Sequence, residues 1–162
     1  MTNGIGRRKT ARHRNVVNSD VTVQLRHPRW KTRLKPYCKT VCEAIDAALS
    51  AEKIKRAEIT VVLADDALIR QLNHEFRGKN KPTNILSFPG GDHLGDLVLA
   101  LETIEREAVE QGKTVKNHTK HLLVHGTLHL LGFDHEREKD AKKMEALEVK
   151  ILKKLGIANP YL

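Results

Sequence analysis

The chain is 162 residues long and 40% hydrophobic but only 4% aromatic, which suits one domain with an aliphatic core. Its sequence contains no apolar run near the roughly 20 residues that a membrane-spanning helix needs. Its charge is uneven, because residues 1–40 hold eleven Lys and Arg against one acid, Asp20, whereas the rest of the chain holds 18 bases and 19 acids. The basic end lacks the apolar stretch of a secretory signal, which favours a cytoplasmic location, and its charge attracts polyanions, of which nucleic acid is the commonest.

The first predicted unit is a flexible basic tail over residues 1–18, which have little apolar surface to bury. This tail either binds nucleic acid or is merely solvated, and the sequence leaves both interpretations open. Residues 19–162 are predicted to form a single domain. Within it, Cys38 and Cys42 lie four apart on a predicted helix. Two thiol ligands do not complete a structural zinc site, so we interpret them as half-buried residues in a reducing compartment.

The periodicity of apolar residues predicts strands mainly in the first two thirds of the chain and helices in the last third. The predicted strands cover residues 21–25, 59–63, 85–88 and 96–100. The predicted helices cover residues 35–51, a segment that begins at Asp65 or Asp66, and residues 102–111, 115–131 and 138–155. This order predicts an α+β fold in which a small mixed sheet of about four strands packs against about five helices. The helix over residues 115–131 is apolar on one side and is predicted to be central.

The most informative segment is His125-Gly126-Thr127-Leu128-His129-Leu130-Leu131-Gly132-Phe133-Asp134-His135. His125 and His129 share one face of a helix, whereas His135 would lie about 240° around its axis if the helix continued. Gly132 can end the helix because glycine accepts the left-handed conformation. Three imidazoles can then converge on one point with a fourth direction left open, as in catalytic zinc sites. We therefore predict that the three histidines bind one zinc ion or a similar divalent transition metal.

The spacing of this segment resembles the long zinc motif of the metzincin peptidases, with one decisive difference. In that motif a Glu follows the first His and takes a proton from water, whereas Gly126 occupies this position here. A metallopeptidase is therefore only a weak alternative. A metal on three histidines also suits phosphodiester cleavage, because it can activate water and bind the negative phosphate oxygens.

Phosphodiester cleavage develops negative charge, so a cation is expected beside the metal. Arg77 is the candidate, since its planar guanidinium matches two phosphate oxygens. An exposed loop arginine without a role is the alternative. Lys79 and Lys81 follow in the same basic loop and are interpreted as phosphate-contacting or merely solvated, and Ser87 could line the cleft.

Two further residues near the histidines are candidates for supporting roles. Asp134 could orient a ligand imidazole or simply cap the turn, and both interpretations stay open. His121 precedes His125 by four residues and could substitute as a ligand, although a supporting or packed histidine is favoured. Asp96 and Ser87 do not have the spacing of ligands, and His93, in a glycine-rich turn, is expected to be exposed.

Three separated segments together resemble the YbeY family, the bacterial endoribonucleases of ribosomal RNA maturation. They are the histidine segment, residues 77–89 and residues 94–98, and residues 144–148 also fit. The resemblance covers roughly residues 20–162 and implies an α+β fold with a metal bound by His125, His129 and His135. It also implies that the arginine after the aromatic residue, here Arg77, matters for RNA cleavage.

The same resemblance implies a biological role. The protein would be a single-strand-specific, zinc-dependent endoribonuclease that matures the 3′ end of 16S rRNA and takes part in ribosome quality control, with ribosomal proteins or assembly factors as partners. Either a water activated by the metal or the 2′-hydroxyl of the RNA would attack, and the sequence does not separate these routes. The alternative is a non-catalytic assembly factor that binds pre-ribosomal RNA and keeps the metal for stability.

Overall fold

A computed structural model of the chain describes the backbone of residues 9–14 and all of residues 19–162. These residues form five strands and six helices, in the order β1 (Lys9–Arg14), β2 (Asp20–Leu25), α1 (Trp30–Arg33), α2 (Tyr37–Ala51), β3 (Glu58–Ala64), α3 (Asp66–Arg77), β4 (Ile85–Pro89), β5 (Gly95–Ala100), α4 (Leu101–Glu110), α5 (Val115–Leu130) and α6 (Glu138–Lys154). The predicted α+β class is confirmed. The structure has one more strand and one more helix than predicted, β1 and the short α1.

The strands form one mixed sheet in the order β1-β2-β3-β5-β4. The inner strands β2, β3 and β5 run parallel, and β1 and β4 are antiparallel edge strands. Val23 pairs with Val61, which in turn pairs with Leu97, and all three side chains are buried. The alternating apolar residues of the parallel strands therefore meet in rows on one face of the sheet.

The helices cover both faces of this sheet unequally. The main core joins β2, β3 and β5 to α2, α5 and α6, and a smaller cluster under α3 contains Ile69, Leu86 and Val98 on the other face. The predicted central position of the histidine-bearing helix is confirmed, because α5 packs against α2, α4, α6, β4 and β5. Among the described helices, none combines the length and the apolar character that crossing a membrane requires.

The predicted tail over residues 1–18 falls largely outside the described part of the chain, which omits residues 1–8 and 15–18. Residues 9–14 form β1, with Lys9 opposite Leu25 and Arg14 opposite Asp20. This strand is not predicted from the sequence, because its residues show no apolar alternation and an edge strand needs only backbone hydrogen bonds on one side. A separate tail and a domain over residues 19–162 stay predictions.

Candidate metal centre and active site

Three histidines meet at the carboxyl end of α5. The ligand nitrogens of His125, His129 and His135 all lie within 4.8 Å of one another. The Nε2 atoms of His125 and His129 are 2.9 Å apart, and the ring centres of the three pairs lie 4.5 to 5.7 Å apart. All three side chains line an open cleft of about 690 Å³. The structure thus brings together the three residues that the spacing singled out.

The turn after α5 brings His135 back towards the other two histidines. The helix ends at Leu130, and Gly132 adopts a φ of 99°, which residues with a side chain rarely accept. The N–H of Gly132 donates to the His129 carbonyl at 3.0 Å, and the N–H of Phe133 donates to the Leu128 carbonyl at 3.0 Å. These bonds close the turn, so the chain reverses over the last turn of the helix.

The two helical histidines are oriented through their Nδ1 atoms. His129 donates its Nδ1–H to the carbonyl of Phe133 at 2.9 Å, because a carbonyl can only accept. His125 places its Nδ1 against the carboxylate of Glu148, which lies on α6. Both rings therefore present Nε2 to the cleft, in the tautomer that metal ligands need.

Glu148 is a fully buried carboxylate shared by several polar groups. Besides His125, it contacts Nε2 of His121 at 3.3 Å and accepts a hydrogen bond from the hydroxyl of Tyr161. Burial alone would raise the pKa of Glu148, but the hydrogen bonds from His121, His125 and Tyr161 and the charge of His125 lower the pKa to about 2. Burial and the bond to Glu148 raise the pKa of Tyr161. An ionised acceptor therefore stands behind His125, and the Tyr161 hydroxyl keeps its proton.

The donor set fits a metal ion. Burial and the neighbouring His125 lower the pKa of His129, which favours the neutral imidazole that binds metals. The Nε2 atoms of His125 and His129 face each other across 2.9 Å, an arrangement that a shared cation can bridge. A tetrahedral site with Zn–N bonds of about 2.0–2.1 Å separates its ligand nitrogens by roughly 3.3 Å. The 2.9 Å separation of the Nε2 atoms of His125 and His129 is somewhat shorter than this value, and all three ligand nitrogens lie within 4.8 Å of one another. Imidazole ligands suit zinc and similar transition metals.

A second group of metal-ligand type, His27, Asp65 and Glu102, also lies within 4.8 Å. Its carboxylates have structural partners: Asp65 accepts the N–H of Leu68 at 2.9 Å, and Glu102 accepts the N–H of Asp66 at 2.7 Å. Both contacts cap the amino end of α3. This group therefore serves the fold and adds nothing to the cleft.

Arg77 lines the same cleft as the histidines. It is the last residue of α3, and its guanidinium donates to the carbonyl of Ser87 at 3.0 Å, over the edge strand β4. The guanidinium also lies 5.8 Å from the ring centre of Phe88. Two neighbours thus hold the side chain, and a guanidinium has five N–H donors, so its fork can also meet a phosphate.

The remaining candidates divide into residues inside and outside the cleft. Ser87, His121 and Asp134 line it. The side chain of Asp134 accepts the N–H of Glu136 at 2.5 Å, so the contact that it makes caps the turn. Lys79 and Lys81 are exposed and do not belong to the lining.

His93, in the turn between β4 and β5, and Asp96, on β5, lie in a different part of the molecule. His93 and Asp96 pair with each other at 3.0 Å, and His93 lines a separate depression together with Ser19 and Arg56. Neither residue lines the cleft that holds the histidines. The position of Asp96 agrees with its lack of ligand spacing, and His93 is half-buried, not exposed as expected.

At Gly126, α5 packs closely against the sheet. A Cβ at this position would lie 2.8 Å from Cδ1 of Ile85, 2.8 Å from Cδ2 of Leu97 and 3.3 Å from Oγ of Ser87. A glutamate at this position would require the side chains of Ile85 and Leu97 to shift. The close helix–sheet packing therefore favours glycine here.

Sequence reasoning gave no role to Glu148 or Tyr161, or to the carbonyl of Phe133. For Glu148 a signal existed, because the buried face of α6 repeats Met144, Glu148 and Ile151 at helical spacing. A carboxylate at a periodic core position needs a partner. Which partner it has depends on how α6 packs on α5, and the sequence alone does not show this.

Comparison with known proteins identifies the family of this chain. The model of the family Endoribonuclease YbeY matches residues 22–156. The chain belongs to the YbeY endoribonuclease family. The resemblance based on the three sequence segments is thereby confirmed.

Relatives in this family match most of the chain. An Endoribonuclease YbeY of Bradyrhizobium diazoefficiens is 43% identical, with 96% of this chain and 91% of that protein covered. One of Dinoroseobacter shibae is 49% identical, with 73% of this chain and 78% of that protein covered. The solution structure of TM1509 from Thermotoga maritima matches with a TM-score of 0.60 and 26% identity, over 83% of this chain and 88% of that one. This YbeY member therefore shares its fold with a solved structure.

Proposed function

We propose that the protein is a metal-dependent endoribonuclease that cuts phosphodiester bonds of single-stranded RNA. The observation that carries this proposal is the pair of Nε2 atoms of His125 and His129 facing each other at 2.9 Å in a cleft that Arg77 also lines. Membership of a family whose relatives are named endoribonucleases supports RNA as the substrate.

The chain supplies the ligands and the groups that orient them. His125, His129 and His135 would hold the metal, which when bound acts as a Lewis acid that acidifies water and polarises a phosphoryl oxygen. Glu148 fixes the ring of His125, and the Phe133 carbonyl fixes the ring of His129. Ligands held from behind stay at the spacing that a metal requires.

Arg77 would stabilise the negative charge that develops on the phosphate. Its contact with the Ser87 carbonyl places the guanidinium at the cleft before RNA binds, so little reorganisation is needed during the reaction. A preorganised cation in a cleft stabilises a transition state more than a mobile one does. We assign Arg77 to charge stabilisation and give it no part in holding the metal.

For the biological setting, we propose zinc as the metal and small-subunit rRNA as the substrate, with cleavage serving 16S rRNA 3′ maturation and ribosome quality control in the cytoplasm. Ribosomal proteins or assembly factors would be the partners. The motif resemblance supports these assignments, and the eleven Lys and Arg of residues 1–40 supply charge for contacts with RNA.

The test compares His129→Ala with His74→Ala in elemental analysis and in cleavage of an end-labelled single-stranded RNA. His74 is exposed on α3 and outside the cleft, so it is the matched control. We expect His129→Ala to lose both metal and cleavage, and His74→Ala to keep both. Wild-type protein that binds RNA without cutting it would instead favour a non-catalytic assembly factor. A 2′,3′-cyclic phosphate at the new end would identify the 2′-hydroxyl as the attacking group.

A further inference from the structure

Phe76 is an aromatic side chain left at the surface immediately before Arg77. It lies in the last turn of α3 with 60% of its surface exposed. Among the side chains that the structure describes, the other exposed aromatic is Tyr161, whose hydroxyl is engaged by Glu148. The ring of Phe76 has no comparable partner for its exposed surface.

The ring of Phe76 is exposed, but its position is fixed by a neighbouring ring. Phe76 meets the ring of Phe88 edge-on, with centroids 5.4 Å apart and planes at 67°. Phe88 in turn packs against the small core under α3 and lies near the guanidinium of Arg77. The two phenylalanines and the arginine therefore form one packed unit at the edge strand β4, with most of the Phe76 ring facing solvent.

Basic residues flank Phe76 in the sequence. Residues 70–81 carry four Lys and Arg against one acid, Glu75. Arg77, Lys79 and Lys81 are exposed, and Arg70 bonds to Asn80 of the same loop at 3.0 Å. Proteins that bind single-stranded nucleic acid combine cations along the backbone with aromatic rings under the bases. Phe76 and its neighbours provide both kinds of contact within one helix end and one loop.

We propose that Phe76 is a base-stacking subsite, on which an unpaired nucleobase of the RNA lies while the adjoining phosphate meets Arg77. This inference rests on the proposed function. A base inside a duplex is stacked and paired and cannot offer its face to the ring. The subsite therefore also favours a single strand over a duplex.

The first test is a substitution series at Phe76 in the metal-loaded protein. Base–aromatic stacking lost on replacement by Ala raises KM for a single-stranded RNA about 5- to 150-fold, and kcat changes less. Phe76→Leu retains apolar contact with Phe88 but has no π face, so it should resemble Phe76→Ala, whereas Phe76→Trp should retain affinity. Val109→Ala removes a side chain that is 82% exposed on α4 and is the control.

The second test measures stacking on residue 76 directly, by tryptophan fluorescence. The chain has one Trp, Trp30, and it is fully buried. In Phe76→Trp the new indole should be quenched by a single-stranded RNA but not by a duplex of the same sequence, above a constant Trp30 background. A set of RNAs carries one abasic nucleotide, placed in turn at each position. For one of these RNAs, the wild type should bind as weakly as Phe76→Ala binds the intact RNA, and Phe76→Ala should bind that abasic RNA no more weakly than the wild type does.

The outcomes separate this inference from the proposed function. Wild-type protein that neither binds nor cuts RNA would overturn both. Wild-type protein that cuts RNA, together with an unchanged KM for Phe76→Ala and an unquenched indole in Phe76→Trp, would overturn the subsite alone. Equal KM values for Phe76→Leu and wild type would overturn it as well, because apolar packing without stacking would then suffice.

Discussion

Replacing Glu148 by Gln tests the connection between the buried carboxylate and the metal ligands. The substitution keeps the shape of the side chain but removes its charge. The carboxylate contacts His125 through one oxygen, and His121 and the Tyr161 hydroxyl through the other. A carboxamide has a single oxygen, so its NH₂ group must face either His125 or the pair formed by His121 and Tyr161.

The expected size of the effect follows from these contacts. The pKa of Glu148 falls from its ordinary 4.5 to about 2, which corresponds to roughly 3 kcal/mol in favour of the ionised form. The carboxamide in the Glu148→Gln variant retains some of the contacts and loses the charge-assisted part. Loss of a group that orients a ligand histidine typically lowers metal affinity 10- to 100-fold, or about 1.4–2.7 kcal/mol, and we expect a loss in that range.

The assay is competition for Zn²⁺ between the protein and a chromophoric chelator at neutral pH. Glu145→Gln is the matched control, because Glu145 lies on the same helix one turn earlier and is exposed. Its affinity for Zn²⁺ should equal that of the wild type. Equal affinities for Glu148→Gln and wild type would refute the reasoning, and so would equal weakening by both substitutions, since that would reflect net charge alone.

Four further results are expected. Arg77→Ala should lower kcat for RNA cleavage about 10²- to 10³-fold with unchanged zinc content by elemental analysis; loss of zinc would contradict the assigned role. In the metal-free protein, the contribution of Glu148 to the free energy of unfolding should be fully present above about pH 4.5 and lost as the pH falls towards about 2, because the pKa of Glu148 is lower in the folded than in the unfolded state. The free energies of unfolding in urea of the wild type and Glu148→Gln should therefore converge at low pH. Gly126→Glu should destabilise the fold by at least about 3 kcal/mol without creating peptidase activity, and a stable variant would show that α5 can move off the sheet. Replacing Arg7 and Arg8 by Gln should flatten the dependence of RNA affinity on salt concentration, and an unchanged slope would show that they make no phosphate contacts.

The histidine site was accessible from the sequence because its geometry is mostly local. The spacing of His125 and His129 places them on one face of a helix wherever that helix lies, and Gly132 marks the place where the helix must end. Both conclusions use only helix periodicity and backbone conformation. The strands and longer helices were predictable for the same reason, since their apolar periodicity is carried by consecutive residues.

The features that the sequence did not reveal depend on contacts between distant segments. Glu148 is 23 residues from His125, and Tyr161 is 40 residues from His121. Their meeting depends on how α6 and the residues after it pack against α5. The edge strand β1 shows no alternation of apolar residues either, since backbone hydrogen bonds to β2 hold it in the sheet and these do not depend on its side chains. Local sequence patterns thus identify the metal-ligand candidates, whereas tertiary packing determines which groups contact and orient them.

Gly126 is informative both in the sequence pattern and in the tertiary packing. In the sequence it is only the absence of a glutamate, which argues against a peptidase. In the structure it lets α5 lie against β4, with Oγ of Ser87 only 3.3 Å from the position of a Cβ. The carbonyl of that same Ser87 holds the guanidinium of Arg77. The close packing that disfavours a glutamate therefore also places β4, which anchors the guanidinium of Arg77, alongside α5, which carries His125 and His129.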